Sequence, residues 1–202
     1  MLRLVAIACL VAGLVLAGAA GWQVAGSQLQ QRRLLMDVGV NSSVMLEHPA
    51  GARPNGQPTG SSAPEEPSPV SGEPLFRLQI PRIGFDGVVV AGTSEAALRK
   101  GPGLLEGAPL PGGSGNSVVA AHRDRHFWRL GELAEGDLIQ VITADGTYAY
   151  TVRSRWIVKE TDVSVVGPTR EPTLTLITCW PIIFAGHTPD RLVIAADRQP
   201  SP

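Results

Sequence analysis

From residue 75 onward the chain is written in short apolar or alternating runs, each closed within roughly ten positions by glycine, proline, asparagine or aspartate. That punctuation leaves little room for long helices. "LFRLQI" alternates, "GVVVAG" is a brief continuous apolar run, and "NSVVAAH", "TLTLIT" and "RLVIAA" each read as a strand. "DLIQVITADGTYAYTVRSRWIV" reads as a hairpin, because Asp145-Gly146 supplies the turn residues between two alternating segments. Only "SEAALRKG" and "HFWRLGEL" carry a helical pattern. Many short strands with frequent turns predict a mainly β domain, a sandwich or a closed barrel.

The residues before this domain read differently. From Leu4 to Trp22 there are 19 residues without a charge. As a helix at about 1.5 Å per residue, they nearly match a hydrocarbon core of about 30 Å. Two fates compete: a cleavable signal with Ala17-Gly18-Ala19 as the small-residue site, or a retained anchor. The run exceeds the usual apolar length of a cleavable signal, so residues 1–22 are expected to stay as a transmembrane anchor. Cys9 falls within this run and reads as a buried membrane thiol. Residues 23–46 carry Leu29, Leu34, Leu35 and Met36 at weakly amphipathic spacing, which fits a helical stalk. Residues 47–74 form a tether: from His48 to Pro74 there are 7 prolines, 4 glycines, 4 serines and no aromatic residue in 27 positions. Such a segment has almost nothing to bury and is expected to stay disordered, with a reach of roughly 30 Å. Residues 75–198 hold the strand-rich domain.

Formal net charge is −1, with 17 basic and 18 acidic residues, so no electrostatic footprint for nucleic acid is present. Cys9 and Cys179 are the two cysteines, and their placement makes a disulfide between them implausible, leaving Cys179 a free thiol. Within the domain, three polar groups stand where apolar filler is the default: His122 after "SVVAA", Cys179 at the end of "TLTLIT", and Arg191 at the start of "RLVIAA". A thiol becomes a useful nucleophile beside a base, and an imidazole also protonates a departing amine. A guanidinium holds its charge and presents several donors to an oxyanion. The three types suit acyl transfer at a peptide bond, although each also has an ordinary structural reading on a β surface.

Metal binding is the competing chemistry. "HRDRH" sets His122 and His126 four apart around Asp124, a spacing that shares a metal if helical. Arg123 and Arg125 crowd the same five residues, and the zinc-hydrolase pattern needs glutamate where Arg123 stands. No metal and no cofactor is therefore expected, and no carboxylate cluster suggests calcium.

"TLTLITCW" resembles the strand-plus-cysteine signature of sortases, membrane-anchored cysteine transpeptidases. "LQIPRIGFDGVVVAGTSEAALRKGPGLLEGAPLPGGSGNSVVAAHRD" resembles the first half of a class D-type sortase domain, and "GHTPDRLVIAA" resembles its arginine-bearing last strand. The resemblance covers residues 75–198. It implies an eight-stranded β-barrel with one or two short helices and with His122, Cys179 and Arg191 converging at one end. It further implies a Cys179 nucleophile that attacks a carbonyl in an LPxTG-like C-terminal sorting motif of an exported protein. His122 would be the general acid/base, Arg191 the group that stabilises the oxyanion or positions substrate, and an amine from the envelope or another protein the acceptor. Such an enzyme is expected at the plasma membrane, single-pass, with its catalytic domain on the extracytoplasmic side. Two positions depart from the family pattern: Ala121 precedes His122 where glycine is usual, and Trp180 stands where tyrosine is common. Thr178, Asp124 and Trp180 are expected as supporting residues, His126 as structural or orienting, His187 as exposed, and Trp128 and Trp156 as core or cleft wall. Two other readings use the same residues: a cysteine hydrolase or peptidase with water as acceptor, and a tethered barrel that only binds a partner around an inert Cys179.

Overall fold

Period-two alternation becomes a barrel wall with one filled face. The computed structural model describes residues 69–184 and 186–200, so the expected anchor, the stalk and nearly all of the tether lie outside the described residues. Eight strands follow in order: β1 (Pro74–Ile80), β2 (Phe85–Ala91), β3 (Gly103–Leu104), β4 (Asn116–Ala120), β5 (Leu138–Thr143), β6 (Gly146–Lys159), β7 (Thr173–Trp180) and β8 (Asp190–Arg198). They close in the order β1-β2-β3-β4-β7-β8-β6-β5, and β5 pairs back onto β1. The β2–β3 and β4–β7 pairs are parallel, and the others are antiparallel. A single α-helix, α1 (Glu95–Lys100), lies among the described residues, with short 3-10 turns at 81–83, 130–132 and 163–166. The hairpin joining β5 to β6 turns at Ala144-Asp145, one residue before the expected Asp145-Gly146, because Gly146 already pairs with Thr143 as the first residue of β6.

Alternate residues of the strands fill the interior: Phe76, Leu78 and Ile80 from β1, Ile139 and Val141 from β5, Leu174 and Leu176 from β7, Leu192 and Ile194 from β8, each 0% exposed. Burying a side chain of this size contributes about 1.5–3 kcal/mol, so the interior set outweighs any surface pair as a source of stability. The continuous run in β2 has its own cause. Val89 joins the core while Val88 and Val90 are equally buried, and α1 packs against this strand. Its Ala97 is buried and Ser94 caps it, accepting from the Ala97 amide at 3.3 Å. β3 is too short to show a pattern and escaped the sequence reading. Its Gly103 leaves no room for a side chain, since a Cβ there would lie 2.1 Å from the Gly92 carbonyl oxygen. The sheet also reaches slightly upstream: Gly72 donates to the Ala91 carbonyl at 2.7 Å and the Ala91 amide donates to Glu73 at 2.8 Å, so these two tether residues extend β1.

Residues 121–129 leave β4 as a series of turns rather than a helix, and they insert Phe127 into the core against Phe85, with ring centroids 5.8 Å apart. His126 beside it is buried, and its Nε2 has no hydrogen-bond partner among the described residues. Burial, and then the positive field of Arg125, lower its pKa to about 4. A free histidine titrates near 6.5, so between these values the unfolded chain binds a proton that the folded chain does not, and stability falls as pH drops through that window. Chemical unfolding of the wild type between pH 7.5 and 4 is therefore expected to lose up to about 3 kcal/mol from this residue. His126→Gln removes the titration and should flatten that slope; an identical slope in the variant would place the proton uptake elsewhere.

Candidate active site

The site is built by strand register. β4 runs parallel to β7 with Val119 opposite Leu176 and Ala120 opposite Ile177. The chain keeps that course for two residues beyond β4: the Ala121 amide donates to the Ile177 carbonyl at 3.1 Å, and the Thr178 hydroxyl donates to the Ala121 carbonyl at 2.8 Å. Continuing the register brings His122 level with Cys179. On the other side of β7, Cys179 pairs directly with Arg191 of β8. The core residues Ala121, Leu176 and Leu192 share the inner parity of the three strands, so His122, Cys179 and Arg191 fall on the outer face. The three residues form one row across adjacent strands.

Each member has a distinct environment. Cys179 is a free, half-buried thiol, and its sulfur makes no hydrogen bond to a described residue. The Arg191 side chain, 24% exposed, is held firmly: Nη1 donates to the Thr188 and Asp190 carbonyls at 2.7 and 3.0 Å, and Nη2 donates to Glu160 Oε2 at 2.7 Å. Its Nε–H makes no hydrogen bond to a described residue, so donor capacity remains on a guanidinium whose position is fixed. His122 is 28% exposed, and its Nε2 lies 3.3 Å from Glu95 Oε2 on α1. Glu160 also meets His187, whose Nε2 lies 3.3 Å from Oε1.

The surrounding residues hold this row rather than extend it. Thr178 is buried, and its hydroxyl fixes the backbone immediately before His122. Asp124 is exposed and makes no side-chain hydrogen bond to a described residue. Trp180 packs against the core, with Arg155 5.9 Å over its ring, and forms the floor beneath the turn at Gly131. Asn116 closes the far end of the same outer face. Its Nδ2 donates to the Val165 and Gly167 carbonyls at 3.2 and 3.0 Å, and it accepts from Thr175 at 2.7 Å, so the β6–β7 connection is pinned over β4 and β7. Trp156 lies on this face too, opposite Val193, and is 36% exposed. Trp128 does not fit the expected core or wall position: it is 59% exposed, with Arg129 5.5 Å over its ring, because the turns at 121–129 direct Phe127 inward instead. His122 and His126 do not share a helical face, and among the described residues no three His, Cys, Asp or Glu side chains group as a metal site.

Sequence reasoning missed the most buried charged group nearby. Arg123 donates from Nη1 to Thr188 Oγ1 at 2.9 Å and to the Pro181 carbonyl at 3.3 Å, and from Nη2 to the Gly186 carbonyl; it also stacks 5.8 Å from the Phe184 ring. It thus clamps the loop that connects Cys179 to Arg191. Its partners are backbone carbonyls and one hydroxyl, which leave no charge pattern to read. Glu95 and Glu160 escaped for a related reason: each comes from an element distant in sequence.

A sortase-domain family model matches residues 78–199. The chain is 28% identical to Sortase D of Bacillus subtilis (strain 168) over 199 residues, 98% of this chain and 99% of that protein. Among solved structures, it is similar to a Streptococcus pneumoniae sortase C, at 34% identity and a TM-score of 0.58 over 64% of this chain and 70% of that one. It is also similar to a Clostridium perfringens sortase C solved with the C-terminal cell wall sorting motif, at 28% identity and a TM-score of 0.61 over 68% and 77% of the two chains. A barrel of this topology, a row of histidine, cysteine and arginine on its outer face, and a family match across the whole domain lead to one assignment. The chain belongs to the sortase family of cysteine transpeptidases.

Proposed function

We propose that the protein cleaves an LPxTG-like C-terminal sorting motif of an exported protein and transfers the acyl chain to an amine. The observation that carries this reading is the outer-face row of His122, Cys179 and Arg191. The Cys179 sulfur attacks the scissile carbonyl, and Arg191 supports the negative charge that develops on its oxygen. The C–N bond then breaks, His122 delivers a proton to the departing nitrogen, and a thioester remains on Cys179. An incoming amine attacks the thioester, gives up a proton to His122 and releases the thiol. The charge-free run at residues 4–22 supports a single-pass anchor in the plasma membrane with the domain on the extracytoplasmic side, and residues 47–74 would supply reach to substrates held near the bilayer.

The experiment is incubation of the purified chain with sorting-motif peptides and a panel of amines, read by mass spectrometry for thioester and product. A thioester that yields amide product supports the reading; release only as free acid would make the protein a hydrolase. Cys179→Ala is expected to abolish both species while thermal unfolding stays cooperative, because the change removes one sulfur from a half-buried position. A Cys179→Ala protein that still ligates peptides would remove Cys179 from the mechanism.

Arg191→Lys separates charge from geometry. Lysine keeps the positive charge and loses the planar fork, so it cannot hold the Thr188 and Asp190 carbonyls, Glu160 and an oxyanion together. Loss of one oxyanion donor typically costs about 10²–10³ in turnover. Turnover is expected to fall by about that factor while peptide still competes for binding and the melting temperature moves little. Near-normal turnover in the lysine variant would pass the oxyanion role to backbone amides beside Cys179.

A further inference from the structure

Of the ionisable groups around Cys179, Glu95 is the one whose contact bears on proton transfer. Glu95 opens α1, a six-residue helix far from the thiol in sequence. Its Oε2 lies 3.3 Å from His122 Nε2, and its Oε1 lies 3.5 Å from Arg99 Nη1 one turn along the helix. The start of α1 is itself held: Ser94 caps the helix, and its hydroxyl lies 3.1 Å from the Ser71 hydroxyl. Both side chains are exposed, so the Arg99 contact and the capped first turn favour this direction of the Glu95 side chain without locking it.

We propose that Glu95 is a positioning residue that keeps a proton on His122 Nε2 and so assigns the proton chemistry to Nδ1. A carboxylate offers only acceptor lone pairs, so the ring nitrogen facing it is the one that carries hydrogen. This holds for the neutral ring and for the imidazolium alike. The nitrogen left to exchange a proton with the thiol and with the departing amine is then Nδ1. In the balanced step, the proton displaced from sulfur resides on Nδ1 while the S–C bond forms; it moves to the leaving nitrogen as the C–N bond breaks, and the Nε2 proton never leaves the ring. The pair is exposed on the Glu95 side, so its contribution to stability is small and its effect belongs to orientation.

This inference rests on the acyl-transfer reading above, and its test separates the two. In the full chain, ¹⁵N–¹H correlation of the histidine imidazoles, assigned with His122→Gln, is expected to show the neutral His122 ring protonated at Nε2. Glu95→Gln should move the His122 resonances while leaving those of His187 in place. In peptide transfer, Glu95→Gln is expected to lower kcat about tenfold, a part of the 10²–10⁴ that acid–base catalysis contributes, with KM within about twofold. Glu95→Asp should recover part of that loss, and the melting temperature should hold in both variants. A neutral ring protonated at Nδ1, unmoved resonances in Glu95→Gln, an unchanged kcat, or a change in KM alone would each overturn the proposal. A wild type that forms no thioester would instead overturn the acyl-transfer reading, and the resonances would still report whether Glu95 sets the ring proton.

Discussion

The parallel pairing of β4 with β7 is the constraint on which the site depends. Parallel neighbours cannot be joined by a tight turn, so this contact links segments more than fifty residues apart and is fixed by packing rather than by local sequence. A shift of β4 by one residue would send Val119 outward and turn His122 away from Cys179. The buried interior opposes that slip, since the slipped strand would exchange its core face for its outer one. At the mouth of the pair, the Thr178 hydroxyl and the Ile177 carbonyl hold Ala121 at both its carbonyl and its amide. The methyl group at position 121, where the family pattern has glycine, is accommodated because Ala121 points into the core rather than into the row.

A second constraint is electrostatic. Two basic groups beside a thiol have freedom to swing away from it unless something holds them. Here each is met by a carboxylate from another element, Glu95 for His122 and Glu160 for Arg191. Glu160 is itself fixed through its backbone, which donates to the Pro189 carbonyl at 2.7 Å. The β6–β7 connection and the β7–β8 loop are thereby joined on the arginine side of the thiol. Arg123 performs the complementary task from within, holding the loop between Cys179 and Arg191 by three oxygen acceptors.

The legible part of this arrangement is what period and turn chemistry encode. The strands with two or more core residues, such as β1, β5 and β7, show their alternation, and the β5–β6 hairpin is announced by Asp145-Gly146. His122, Cys179 and Arg191 stand out because each interrupts or terminates an apolar strand. β3 was not legible because two residues carry no period, and Trp128 was misread because large aromatic residues are usually buried. Glu95, Arg123 and Glu160 were not legible either. Their roles arise from contacts across the closed barrel, and charged residues on a loop or a helix face look the same in sequence whether or not they meet a functional group.

The position of the row on the outside of the barrel follows from how completely the inside is filled. Phe76, Leu78, Ile80, Phe127 and Tyr150 are all fully buried within the core, which leaves no room for the row on the inner face. The outer positions of β4, β7 and β8 are themselves largely covered, Val118, Thr175 and Val193 among them, whereas His122, Cys179 and Arg191 at the end of that face are only partly buried. The connection carrying Val165 and Gly167 is pinned over one end by Asn116, and Trp156 lies along the same face. This separation has a physical consequence for the protein's tolerance of change. The core residues point inward, His122, Cys179 and Arg191 point outward, and the two sets alternate along the same three strands. A substitution in the outer row can therefore change the groups presented there while the barrel beneath it keeps its packing.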